Sequence, residues 1–325
     1  MLFPRALSTD RSALVPTDVL DVLAAEGLYG LTGPAGAGGL GLADVRDVWR
    51  TVETLASGCL ATTFVWAQHL GTVAALAATA DAALRERWLP ELCRGAVRAG
   101  VAFSALRRPG PPMLRAERQA GGWSLHGSAP WVSGWGRIDV IRVAARHGDD
   151  IVWALLDAGE RRTLRAEPLE LAALNASGTV TLHFDGEAVA DDRVIALQRF
   201  DHWLRRDREG LRLNGSHALG VATRCARLME SSAWLETIDD ARVRLDSADA
   251  DSLPHERARA SWLAMRCAEQ LVVSGGGRSL LLTSQAQRLA REGLFLLVFG
   301  QTPAIRAAQL EAATDGELTP SRSDS

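Results

Sequence analysis

The residues with chemistry to offer are dispersed along the chain. The densest group is the run Arg205-Arg-Asp-Arg-Glu209-Gly-Leu-Arg212, with guanidinium and carboxylate groups interleaved. It reads either as the solvated start of a helix or as a cluster that grips a phosphorylated substrate, since arginine matches phosphate geometry with a planar fork of donors. His217 stands among Leu213 and Leu219 at helical spacing, as a core histidine or as a site residue. The chain contains no lysine, so all 36 basic residues are arginine. An arginine side chain stays protonated and forms no Schiff base. That excludes pyridoxal-phosphate enzymes, Schiff-base aldolases and a phosphate loop with its lysine.

Several short patterns fail on context. Gly36-Ala-Gly38-Gly-Leu-Gly41 fits a dinucleotide fingerprint, but residues 28–34 make a poor strand before it, so a glycine-rich connector is expected. His255-Glu256 opens a zinc-protease motif whose second histidine is replaced by Arg259. No Gly-x-Ser-x-Gly elbow occurs. Cys59, Cys93, Cys225 and Cys267 are far apart in sequence, which suits reduced packing residues rather than a disulfide frame or a metal site.

The elements that must position these residues change character twice. Residues 1–100 are helical, with Val19, Leu20, Val22, Leu23 and Leu28 at helical spacing, further helices at 44–55, 63–77 and 81–93, and a stretch at 60–78 that is apolar nearly all round. Residues 101–198 alternate: Trp123 and Leu125 follow a Gly-Gly turn, 138–145 and 151–156 flank Gly148-Asp149 as a hairpin, and 179–184 alternate again. Helices return over 199–313, at 213–229, 257–273, 288–298 and 304–312, with 246–254 as a loop and 314–325 as a disordered tail. Helices, then strands, then helices is an α+β organisation rather than a doubly wound sheet. A net charge of −3 gives no reason to expect nucleic acid or an anionic membrane as partner. The strongest apolar run, 294–299, is far shorter than a membrane span, and the amino terminus has no signal-peptide core, so a cytoplasmic protein is expected.

The layout resembles the acyl-CoA dehydrogenases, and local strings across nearly the whole chain carry the resemblance. Glu26-Gly-Leu-Tyr-Gly-Leu and Gly38-Gly-Leu-Gly-Leu42 resemble the family's entry segment, and Glu86-Arg-Trp-Leu-Pro-Glu-Leu-Cys-Arg-Gly95 its helix leading into the β domain. Gly122-Trp-Ser-Leu-His-Gly-Ser-Ala-Pro-Trp131-Val-Ser133 resembles the strand pair that ends in the flavin-facing Trp-x-Thr/Ser. Gly276-Gly-Arg-Ser-Leu280, Arg288-Leu-Ala-Arg-Glu292 and Phe299-Gly-Gln-Thr302 resemble the closing helices. The resemblance implies a helical amino-terminal domain, a middle β-barrel or sandwich domain and a carboxy-terminal helical bundle, with FAD between the last two. It implies Trp131 against the isoalloxazine and the Ser133 hydroxyl near flavin N5. Phe103, Ala105 and Leu106 fall on the strand beside the flavin, and Thr302 at an FAD contact. No metal is implied.

The departures from the family pattern are as informative. The usual base is the Glu of Tyr-Glu-Gly-Thr, and Gly300 stands there, next to neutral Gln301. Relatives that place the base on the first helix of the last domain point to Glu209. The family's Ser-Glu-Pro-Gly-x-Gly-Ser loop reads Leu106-Arg-Arg-Pro-Gly-Pro-Pro112, which leaves Arg107 and Arg108 as candidate phosphate ligands. The Arg-x-x-Phe-Gly string is absent, and Val273 replaces the Gln of Gln-x-x-Gly-Gly. The expectation is an FAD-dependent oxidoreductase acting on an acyl-CoA or other acyl thioester. The alternatives are a flavoprotein with different redox chemistry and a non-catalytic paralogue with a structural or partner-binding role. A homodimer or homotetramer and an electron-transfer partner are implied by the family.

Overall fold

The computed structural model describes residues 1–313; the expected tail at 314–325 lies outside the described residues, as does the Glu209 side chain. Five helices come first: α1 Ala6–Asp10, α2 Thr17–Ala25, α3 Val45–Gly58, α4 Leu60–Ala77 and α5 Ala82–Arg94. Their ends are written in the sequence. Asp44 and Asp81 accept backbone N–H groups at the starts of α3 and α5, and Gly95 ends α5 in the left-handed conformation that glycine adopts without strain. The stretch at 36–41 forms a short 3-10 turn and loop, with another 3-10 turn rather than a strand before it.

Eight strands follow: β1 Ala99–Ala102, β2 Leu114–Gln119, β3 Gly122–Val132, β4 Val140–His147, β5 Asp150–Asp157, β6 Leu164–Pro168, β7 Val180–Ala190 and β8 Val194–Arg199. They form one mixed sheet in the order β6-β7-β3-β2-β4-β5-β8, with β1 parallel to β4. The expected hairpin is β4–β5, in which His147 faces Asp150 across Gly148 at φ +57°. Leu125, Val132, Ile141, Val152, Leu182 and Phe184 meet in one core, so the β3–β7 half folds over the β4–β5 half.

The last helices are α6 Phe200–Glu209, α7 Leu211–Leu228, α8 Ser232–Ser247, α9 Leu253–Gly275, α10 Gln285–Val298 and α11 Pro303–Ala312. Two of these differ from the sequence reading. The charge run covers the second half of α6 and the start of α7, where Arg212 is buried and paired with Asp246. Part of the expected loop at 246–254 is helical, because α8 extends to Ser247 and α9 begins at Leu253. The buried set Trp234, Ile238, Ala241 and Leu245 gives α8 its inner face.

Two further cores join the regions. One runs from Leu2 through Trp66 and Leu70 to Leu219, Leu263 and Leu296, so the first and last helices share a single apolar interior. The other packs α4 and α5 against the sheet, with Trp203 of α6 included. The apolar α4 is the shared element, which explains why its sequence shows no polar face. α7 lies hard against α3: a Cβ on Gly220 would come within 2.4 Å of the Glu53 carbonyl. All four cysteines are free and buried.

Candidate functional site

The β-domain side of the site is built where β3 leaves its ladder. The pairing of β3 with β7 is interrupted between Ala129 and Val132, and Trp131 sits in the interruption at φ +62°. A bulky residue in the left-handed region is strained, and such strain collects at functional positions. Trp131 is 51% exposed although its neighbours Pro130 and Val132 are buried. The Ser104 hydroxyl donates to the Pro130 carbonyl, which brings the segment after β1 against this corner. That segment differs from the expectation. β1 ends at Ala102, and Ser104–Arg107 form a 3-10 turn, so Phe103, Ala105 and Leu106 follow the strand instead of lying in it. Ala105 and Leu106 are buried, and half-buried Phe103 lies 6.3 Å from Trp153 and 6.4 Å from Trp203, centroid to centroid.

The Ser133 hydroxyl points inward. It shares a 2.7 Å hydrogen bond with Thr179, which in turn bonds Ser177 at 2.7 Å. Arg107 forms a bidentate pair with Asp207 of α6, both bonds at 2.7 Å, and its guanidinium lies 5.1 Å from the Phe103 ring centroid. Phe103 and Arg107 thus face Trp203 and Asp207, one helical turn apart on each side. Arg108 is exposed and carries no ion pair among the described residues.

The bundle side is built where α10 ends. Gly300 has φ +61°, and a Cβ there would lie 2.5 Å from Asn214 Nδ2. Asn214, on α7, therefore fills the slot that a side chain at position 300 would need. Thr302 caps α11 by accepting from the Ile305 N–H at 3.3 Å. His217 lies behind, its ring 5.4 Å from that of Phe299. It is 2% exposed, and its two ring nitrogens lie near the Leu213 and Asn214 carbonyls without a well-formed hydrogen bond. Burial, with the nearby Arg257 charge, lowers its pKa to about 3, so it is neutral at ordinary pH. Arg257 is 1% exposed, donates to Ser261 and, at 3.3 Å, to the Phe299 carbonyl, and is lowered to about 10 by burial and by Arg212.

The structure thus gathers Phe103, Ala105, Leu106 and Trp131 at one corner, and places Thr302 at the other. Ser133 is adjacent to the first corner but turned away from it. Glu209 is the last residue of α6, five positions before Asn214. Sequence reading missed Asn214 and Arg257. A single asparagine in a helix and an arginine beside serine carry no local signal; only burial and the missing counter-charge single them out. The described residues contain no cluster of three or more potential metal ligands, and no helix long and apolar enough to cross a membrane.

The residues fit the ring end of a flavin. Trp131 offers a half-exposed indole held outside its ladder, and half-buried Phe103 stands by the adjoining turn. For the phosphates, the segment after Leu106 offers Arg108 and three prolines, with Arg107 already engaged.

Residues 1–96 match the acyl-CoA dehydrogenase N-terminal domain family. No match is found among curated protein sequences. Among solved structures, butyryl-CoA dehydrogenase from Megasphaera elsdenii is similar at a TM-score of 0.81 and 18% identity, over 97% of this chain and 94% of that one. A glutaryl-coenzyme A dehydrogenase in complex with glutaryl-CoA is similar at 0.82 and 16%, over 96% and 90%. A glutaryl-CoA dehydrogenase from Mycobacterium smegmatis in complex with FADH2 is similar at 0.78 and 17%, over 98% and 91%. At such identities the structures speak for the fold, and the amino-terminal match supplies the sequence link. Residues 1–96 thus match an acyl-CoA dehydrogenase N-terminal domain, and the chain has the acyl-CoA dehydrogenase fold.

Proposed function

We propose that the chain is an FAD-dependent oxidoreductase acting on an acyl thioester, with Glu209 as its base. The observation that carries this is Trp131: a strained, half-exposed residue of this size costs stability, and a ring face for a planar cofactor is a use for it. FAD, when bound, supplies the acceptor for the hydride from the substrate Cβ. The chain supplies the rest. Trp131 covers a ring face, the buried Ala105–Leu106 turn shapes the floor beside it, and Thr302 flanks it, while Ser133 supports the corner through its bond to Thr179. Glu209 takes the acidic α-proton of the thioester; as the last residue of α6 it stands close in sequence to the α7 corner that contains Asn214. Within this reading the chain divides at about residues 100 and 198, and the cofactor lies between the second and third parts.

The test is the visible spectrum of the purified protein, followed by titration with FAD. The expected result is a flavin band whose fluorescence is quenched, with Trp131→Leu binding FAD at least tenfold more weakly. Anaerobic addition of an acyl-CoA should bleach the band, and Glu209→Gln should slow the bleaching by two orders of magnitude or more. A colourless protein that cannot be reconstituted supports the second reading, a non-catalytic paralogue. That reading is favoured by one observation: position 300 has no carboxylate, and Asn214 occupies the room for one.

The assembly we propose is a homodimer or homotetramer. Val273, Leu280, Leu281 and Leu282, with Leu294 and Val298 of α10, are all at least half exposed, an apolar set that a second copy would cover. Light scattering showing a monomer at working concentration would overturn it. An electron-transfer partner and a cytoplasmic location belong to the same reading.

A further inference from the structure

Arg257 is a buried charge that, among the described residues, meets only neutral acceptors, the Ser261 hydroxyl and the Phe299 carbonyl. No carboxylate pairs with it among the described residues, its Nε has no hydrogen-bond partner, and no aromatic face covers it. Buried Arg142 likewise has no carboxylate and an unpartnered Nε, but it lies 4.7 Å from the Trp153 ring centroid, a contact that Arg257 lacks among the described residues. Around Arg257 the other charged groups are already matched. Asp246 is held between Arg212 and Arg50, and Glu53 by Arg242. Arg212 adds to the positive potential, and His217 is neutral. A guanidinium cannot shed its proton to escape, so an unpaired one in the interior calls for an anion.

The place where an anion could arrive is marked by Asn214. Its carboxamide is half-buried, has no hydrogen-bond partner among the described residues, and stands beside Gly300. The Phe299–Gly300 peptide links the two groups: Arg257 holds its carbonyl, and Asn214 lies against its glycine. A side chain at 300 would fill the slot, and glycine leaves it to Asn214.

We propose that this corner is a carboxylate-binding subsite, in which the Asn214 amide donates to a carboxylate on the acyl portion of the ligand and Arg257 supplies the positive potential behind it. The subsite rests on the acyl-thioester reading above and narrows it to acyl groups that end in a second, free carboxylate. Asn214 is the contact. Arg257 and His217 act from behind the Phe299–Gly300 peptide.

The test is calorimetric titration of the purified full chain with two thioesters of equal chain length, succinyl-CoA and butyryl-CoA, and with free succinate. The expected result is succinyl-CoA tighter by about tenfold, or about 1.4 kcal/mol, with the preference abolished in Asn214→Leu and reversed in Asn214→Asp. The second variant keeps the shape and adds a repelling charge, so it decides the matter if the leucine variant fails to fold. Equal affinities for the two thioesters, or a preference that survives both variants, overturns the subsite and leaves the thioester reading intact. Binding of succinate alone, sensitive to Asn214, with neither thioester bound, upholds the subsite and removes the thioester reading. If none of the three binds, both are wrong.

Discussion

Trp131 and Gly300 share a backbone conformation, at φ +62° and +61°, and carry the largest side chain and none. One stands in the β domain and the other in the helical bundle, each at a candidate corner. At the first, the chain accepts left-handed strain of about 1–2 kcal/mol in order to present an indole. At the second it avoids the strain with glycine and gives the space to an asparagine from another helix. The β-domain corner presents a half-exposed tryptophan, with the Ser133 hydroxyl turned away toward Thr179. The bundle corner holds a neutral donor, Asn214, near a cation that has no carboxylate partner among the described residues. The two corners therefore differ in chemistry: one presents an aromatic face, the other a neutral amide beside a buried cation.

The largest expected effect concerns acid, and it belongs to the bundle corner and its counterpart among the first helices. His217 and His69 are both buried and both lowered to about 3, chiefly by burial. His69 is well satisfied: its Nδ1 accepts from Ala99 N at 3.0 Å and its Nε2 donates to the Leu92 carbonyl at 3.1 Å. In the unfolded chain each titrates near 6.5. Because the folded pKa lies lower, each contributes stability that is whole above pH 6.5 and is lost as pH falls toward 3, by about 1.4 kcal/mol per pH unit per histidine. Chemical denaturation at pH 7, 6, 5 and 4 should show this decline. His217→Phe should remove about half of its slope, and an unchanged slope would mean that the ring is solvated.

Next comes a carboxylate placed at position 300. Gly300→Glu should not regain proton abstraction, and should cost about 2–3 kcal/mol from the left-handed backbone and the clash with Asn214. Combining it with Asn214→Gly should recover part of that loss in a thermal melt. A stable Gly300→Glu variant would show the corner to be looser than described.

Asp207→Asn tests the tie between the corners. It breaks the bidentate bond from Arg107 to α6, whose two side chains are 21% and 14% exposed, and should cost about 1–2 kcal/mol in urea unfolding. It also frees Arg107, so a rise in FAD affinity would assign that arginine to the phosphates.

The smallest stability effect carries the sharpest contrast. Trp131→Gly relieves strain but adds chain entropy to the unfolded state, so the unfolding free energy should stay within about 1 kcal/mol of the parent. FAD affinity should fall at least tenfold in the same variant. A large loss of stability would make Trp131 a packing residue and remove the main support for a flavin.

Much of the fold was legible because helix and strand periods are local. The helices α3 to α5 and α9 to α11, and the β4–β5 hairpin, lie close to where spacing and caps put them. α8 left a clear signal that went unread, with Trp234, Ile238, Ala241 and Leu245 recurring at helical spacing behind the Ser231 cap. α6 was ambiguous because a ten-residue helix of mostly charged side chains shows little apolar stripe; it is anchored by Trp203 and by the Asp207 pair.

The sequence by itself determined the order of helices and sheet, the exclusion of lysine chemistry, and the absence of a carboxylate at position 300. These are matters of composition, period and identity, which do not depend on neighbours. Tertiary structure alone decided that Trp131 is strained and half open, that Ser133 turns toward Thr179, that Arg107 is engaged by Asp207, and that Arg257 lies unpaired behind Asn214. Exposure, hydrogen-bond partners and charge balance are properties of pairs of residues far apart in the chain. Arg257 and Phe299 are 42 positions apart, Arg107 and Asp207 a hundred, and only folding brings such groups within reach of one another.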